Sequence, residues 1–191
     1  MDMALDQSTQ VSDDALLALY ANGDPLAASE LTQRLAPRLL SFANRMLRDL
    51  AEAEDVVQDT MLRLWKMAPN WVPGAAKLST WAFRVASNLC TDRLRKRRGV
   101  GLDEIAEPVS DTPDMETQLM QSERATALDD ALQTLPDRQR QAVVLRHIEG
   151  LSNPDIADIL EISTEAVESL TARGKRALAT ALASRKEELG L

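Results

Sequence analysis

From Gly99 to Gln121 the chain reads GVGLDEIAEPVSDTPDMETQLMQ, with two glycines, two prolines and no basic residue. Its acids are Asp103, Glu104, Glu107, Asp111, Asp114 and Glu116. So little apolar surface and so much like charge suit a mobile tether. An acidic stretch can also shadow basic surfaces or mimic nucleic acid, but a soluble tether is the simpler reading. On either side of it, apolar residues recur with helical rather than strand period. The expected fold class is therefore all-α, with two small helical domains (12–98 and 122–188) joined by a flexible acidic linker (99–121).

The rest of the composition agrees with that division and narrows the chemistry. The 191 residues are 45% hydrophobic and 27% charged, enough for a core in each half. Cys90 is the only cysteine, so no internal disulfide and no cysteine zinc cluster can form. His147 is the only histidine, and near a helix end it reads as a surface or half-buried side chain. These counts argue against metal hydrolysis, a Ser-His-Asp triad and a Cys-His nucleophile. No enzyme, metal or cofactor is expected. Leu89, Leu94 and a mid-helix position make Cys90 a packed thiol rather than a redox sensor. The acidic N-terminus lacks the basic start and apolar run of a signal peptide, and no stretch approaches the ~20 apolar residues of a membrane span. A soluble, cytoplasmic protein without membrane insertion is expected.

Net charge is −8, which on average opposes nucleic-acid binding, yet the charge is segregated. Residues 1–30 carry acids and no base, whereas Arg93-Leu94-Arg95-Lys96-Arg97-Arg98 is almost wholly basic. Phosphate contacts depend on local charge. A basic helix end with cations on its C-terminal dipole explains the same run without DNA, and the run alone does not decide between them.

In the first block Ser12 caps a helix that begins at Asp13-Asp14, and Asn22-Gly23-Asp24 breaks the chain. A second helix runs through the thirties and forties, past Pro37. The third runs from about Ala51 to Lys66, with Val57, Met61, Leu64 and Trp65 on its inner side and Asp55, Gln58, Asp59, Leu62 and Lys66 on the other. An apolar residue inside that polar face suggests a contact surface. After Pro69, Pro73 and Gly74 a fourth helix starts near Ser79, with Leu78, Ala82, Val85 and Leu89 inward. Arg84, Asn88, Thr91 and Arg95 share its outer face, and these groups suit base edges and phosphates. Trp81 at the margin suits either the core or a stack on an unpaired base.

The second block holds helix-turn-helix geometry. Ser152, Pro154 and Asp155 start a short helix whose buried residues are Ile156, Ile159 and Leu160. Glu161-Ile162 turns the chain, and Ser163 caps a longer helix from Thr164 to about Ala183. Val167, Leu170, Gly174, Leu178 and Ala181 line its inner side, and Ser169, Arg173 and Arg176 project outward. Helices at 125–135 and 139–148, broken at Pro136, support the pair. Short helix, turn and longer polar helix fit a major-groove reader, although many helical hairpins share the outline.

Three stretches in this order resemble the extracytoplasmic-function branch of the sigma-70 family of RNA polymerase sigma subunits. GDPLAASELTQRLAPRLLSFANRMLRDLAEAEDVVQDTMLRLWK resembles the family's start and its polymerase-binding helix. LSTWAFRVASNLCTDRLRKRR is similar to the element that melts and reads the −10 promoter element. LPDRQRQAVVLRHIEGLSNPDIADILEISTEAVESLTARGKRAL resembles the domain that reads the −35 element. The resemblance implies that Asp55, Gln58, Asp59 and Leu62 dock on the β′ clamp helices of core RNA polymerase, whose β flap is a further contact. It implies −10 contacts by Lys77, Trp81, Arg84, Asn88 and Arg95, with the loop 70–79 capturing a flipped base, and −35 contacts by Ser163, Ser169, Arg173 and Arg176. Core polymerase, promoter DNA and a cognate anti-sigma factor are the implied partners, the chain being a monomer when free or 1:1 with the anti-sigma factor. The implied role is promoter-specific initiation in a stress or envelope response. Three departures stand out: Glu161 where the family often has glycine, and Glu168 and Leu170 where it often has bases. The competing expectation is a dimeric helix-turn-helix regulator with an N-terminal helical signal domain, which leaves the Asp55 face and the Arg84 helix without purpose.

Overall fold

A computed structural model describes residues 11–99 and 116–186. Every regular element among them is a helix. The first domain starts with α1 (Asp13–Ala21), whose end is fixed where Ser12 Oγ accepts from the Ala15 amide at 3.2 Å. Asp24 caps α2 (Pro25–Leu47) through the Leu26 amide at 2.9 Å, with Pro25 in the first turn, where its missing N–H breaks no bond. Leu31, Leu35, Leu39, Phe42 and Met46 recur every three or four residues and are buried along α2, whereas Pro37 faces outward. Arg48 closes α2 in the left-handed region (φ 51°). Asp49 then caps α3 (Leu50–Met67) through the Glu52 amide at 2.9 Å. After one 3₁₀ turn (Ala68–Asn70) and a loop, α4 spans Leu78–Gly99.

In the second domain α5 (Glu116–Gln133) is followed by α6 (Asp137–Val143), which continues into a π turn over Val144–Ile148. Next come α7 (Asn153–Leu160) and α8 (Thr164–Lys186). Ser152 Oγ accepts from the Asp155 amide at 3.3 Å and donates to the Asp155 carboxylate at 2.5 Å, so the two residues close the first turn of α7 with a pair of bonds. The tether expected over 99–121 lies mostly outside the described residues. Helix α5 begins inside it, at Glu116, where Glu, Gln, Leu and Met favour helix.

Two expected stripes are rotated. On α3 the buried residues are Ala53, Val56, Thr60, Met61 and Leu64, with Val57 and Trp65 only half-buried. On α4 Leu78, Ala82, Phe83, Ala86, Ser87 and Cys90 are buried, while Val85 and Leu89 are half-buried. Helix α4 is covered on two sides, by α2 and α3 and by α7, so one amphipathic stripe cannot describe it. Phe83 meets Phe42 edge-on at 5.7 Å, and the Arg38 guanidinium lies 5.2 Å above the Phe83 ring.

Candidate nucleic-acid interface

The polar face of α3 forms as the spacing predicts. Asp55, Gln58 and Leu62 are exposed, Leu62 to 48%. Asp59 is turned partly away, 3.9 Å from Arg93 of α4. Leu62 thus stands as an exposed apolar side chain beside a carboxylate and an amide.

The five side chains singled out around α4 do not share one environment. Lys77 donates to Asp155 of α7 at 2.8 Å, and the Thr80 hydroxyl donates to the same carboxylate at 3.3 Å. Arg84 Nε donates to the Asp158 carbonyl at 2.9 Å. Trp81 is half-buried against the core, whereas Asn88 is exposed and Arg95 pairs with Asp92 at 2.9 Å. Partial burial pushes the Asp155 carboxyl up, but hydrogen bonds from Lys77, Ser152 and Thr80 outweigh it and hold the group below its ordinary range. Lys77 and Arg84 thus each give a donor to the second domain, although the Lys77 side chain stays 68% exposed.

The loop 70–79 is held from a residue that sequence reading placed only at a helix start. Asp14 accepts from Trp71 Nε1 at 3.0 Å and from the Gly74 amide at 3.1 Å. Gly74 sits at φ 81°, which a side chain rarely adopts. No local signal in the sequence points from Asp14 to a loop 57 residues away.

On the second domain the outer face of α8 is open. Arg173 and Arg176 are exposed, Ser169 is half-buried, and Ser163 Oγ caps α8 by accepting from the Ala166 amide at 3.2 Å. Glu161 takes the left-handed geometry usually given to glycine (φ 55°, ψ 48°), at a cost of roughly 1 kcal/mol. The other two departures are turned aside: Glu168 meets Asn153 at 3.5 Å, and Leu170 packs against the core. Beside α8 an open groove is bordered by Arg146, His147 and Lys175. Burial, together with the charges of Lys175 and Arg146, holds His147 below the usual imidazole range.

Cys90 is fully buried, and burial pushes its thiol up to about 12, with Arg93 opposing the shift. Burial thus keeps this thiol in its un-ionised form, away from solvent. Among the described residues no group of histidine, cysteine and carboxylates is placed to hold a metal.

Residues 20–100 match the model of Sigma-70 region 2, and residues 125–178 match that of Sigma-70, region 4. The chain is 34% identical over 171 residues to the ECF RNA polymerase sigma factor SigM of Mycobacterium tuberculosis, spanning 90% of this chain and 85% of that protein. The chain belongs to the extracytoplasmic-function sigma factors. It is also 29% identical to the ECF RNA polymerase sigma factor SigW of Bacillus subtilis, over 82% of this chain and 89% of that one. Among solved structures, the sigma-factor fold recurs in CnrH in complex with the cytosolic domain of CnrY, with TM-score 0.68, 25% identity and coverage of 90% and 97%. It recurs too in the sigma factor RpoE bound to the anti-sigma factor NepR from Bartonella quintana, with TM-score 0.64, 25% identity and coverage of 81% and 95%. The dimeric regulator is set aside, because residues 20–100 match region 2 of a sigma factor.

Proposed function

We propose that this sigma factor docks on core RNA polymerase through Asp55, Gln58, Asp59 and Leu62 of α3 and directs it to promoters. The division into 12–98, a tether at 99–121 and 122–188 assigns −10 reading to the first domain and −35 reading to the last. Lys77, Trp81, Arg84, Asn88 and Arg95 take the −10 element as a melted strand. The loop 70–79 takes a flipped base, whose unstacking costs a few kcal/mol that contacts must offset. Ser163, Ser169, Arg173 and Arg176 read −35 duplex in the major groove. The chain itself catalyses nothing; it supplies position to the polymerase. Two modest DNA contacts on one tether act as one stronger contact by effective concentration.

The observation that carries this reading is the presence on one chain, in order, of both sigma regions. Two solved relatives are held by partners, the cytosolic domain of CnrY and the anti-sigma factor NepR. By the same likeness this chain works in the cytoplasm under an anti-sigma factor, in a stress or envelope response. No helix among the described residues is long and apolar enough to cross a membrane.

The test is run-off transcription on fragmented genomic DNA of the source organism, with sigma-free core polymerase with and without the chain. Discrete new start sites that share two spaced upstream elements are expected. Absence of both new starts and core binding overturns the reading.

A further inference from the structure

The groove beside α8 lies outside the residues assigned to −35 reading. Three elements wall it: Arg146 and His147 come from the π turn, Asn153 from the start of α7, and Glu168, Ala172 and Lys175 from α8. Arg146 Nη1 donates to the Leu151 carbonyl at 2.8 Å, which fixes the guanidinium and leaves its other N–H groups for a ligand. His147 and Lys175 are exposed and bond to no carboxylate among the described residues. Glu168, the one acid of the groove, is turned to the Asn153 amide at 3.5 Å.

Position on α8 says what such a cationic notch meets. At 3.6 residues per turn, Glu168, Ala172 and Lys175 lie about 100° around the helix from Ser169, Arg173 and Arg176. A helix roughly 10–12 Å across fills a major groove roughly 12 Å wide. With the Ser169 stripe toward the bases, the flank a quarter-turn away faces the sugar-phosphate wall. We propose that this notch takes a backbone phosphate of the −35 duplex, and that His147 joins Arg146 and Lys175 on it as imidazolium, so that duplex binding takes up a proton. In the free chain, burial and the charges of Lys175 and Arg146 hold the imidazole below its ordinary range, and so neutral near pH 7. A phosphate seated among them reverses that field: it neutralises both cations and gives the imidazolium an anionic acceptor. The charged groups facing the imidazole are few. Arg146 stands on its own turn, Lys175 and Glu168 stand on α8, and α7 lends only the uncharged Asn153. The acids of the adjoining turns, Asp155 and Glu149, are paired with Lys77 at 2.8 Å and Arg38 at 3.2 Å. Linkage is reciprocal, so protons strengthen duplex binding as duplex strengthens proton binding. Affinity falls as pH rises through the value His147 takes in the complex, and levels off above it.

The proposal rests on the assignment of Arg173 and Arg176 to −35 duplex. His147 is the only histidine in the chain, so its Cε1–H resonance is single and NMR follows its titration directly. The sample is the full chain without a histidine tag, alone and with a short random-sequence duplex, which suffices because backbone contacts carry no sequence. The expected result is a titration midpoint that moves up with duplex, and duplex affinity about three- to tenfold higher at pH 6 than at pH 8. His147→Gln should lose that pH dependence, and His147→Lys should bind at the higher pH as tightly as the unaltered chain does at the lower. Duplex that shifts the α8 amides but leaves the midpoint in place overturns the proposal and spares the −35 reading. A pH dependence that survives in His147→Gln does the same. An equal rise with inorganic phosphate at matched phosphate concentration assigns the groove to free anions and overturns its part in DNA binding. If Arg173→Ala with Arg176→Ala binds duplex as tightly as the unaltered chain, the −35 reading fails and the proposal fails with it.

Discussion

Asp14 shows how one carboxylate can set the shape of a loop far away in sequence. Its two oxygens each take one donor, Trp71 Nε1 and the Gly74 amide. Replacing it by alanine leaves both donors without their charged acceptor, and hydrogen bonds to charged groups are worth about 1.5–3 kcal/mol each in context. Partial exposure discounts that figure, so Asp14→Ala is expected to lower stability by about 1–2 kcal/mol in urea melts. Run-off should fall further than stability alone explains, because the loop assigned to the flipped base loses its anchor. Asp14→Asn keeps one acceptor and should fall between. An alanine variant as stable and as active as the parent refutes the anchoring. The sequence marked Asp14 only as an acid in a first turn, since its true partners lie beyond α2 and α3. Ser12 and Ser152 were legible for the opposite reason: each caps a turn three residues away, through a bond that local sequence alone determines.

Among the elements, α8 was read in phase and α4 was not. Helix α8 leans on its neighbours along one side, so Val167, Gly174 and Leu178 are buried as a single stripe and period alone finds them. Helix α4 is enclosed from two directions, so Ser87 and Thr91 turn toward Gln141 of α6, a partner across the tether. Polar residues with long-range partners, buried Ser87 among them, look like ordinary surface residues until those partners are known. Gly174 tests the packing of α8 directly. A Cβ there would lie 2.5 Å from Val143 Cγ2 and 3.4 Å from the Gln139 carbonyl oxygen. Alanine gains about 1 kcal/mol of helix propensity, but overpacking against a stiff β-branched neighbour costs about 1–3 kcal/mol. Gly174→Ala should therefore be net destabilising by about 1 kcal/mol. Val143→Ala removes the obstructing methyl, so the double variant should be more stable than the two single losses add to, with a coupling of about 0.5–3 kcal/mol. Strict additivity in urea melts would falsify the close approach of α6 and α8.

At the scale of the whole molecule, the division into two helical domains was visible in composition, because helical periodicity stops where acid, glycine and proline accumulate. How the domains meet was not visible. Each ion pair across the junction joins residues at least 39 positions apart, on helices whose charges look merely solvated one at a time.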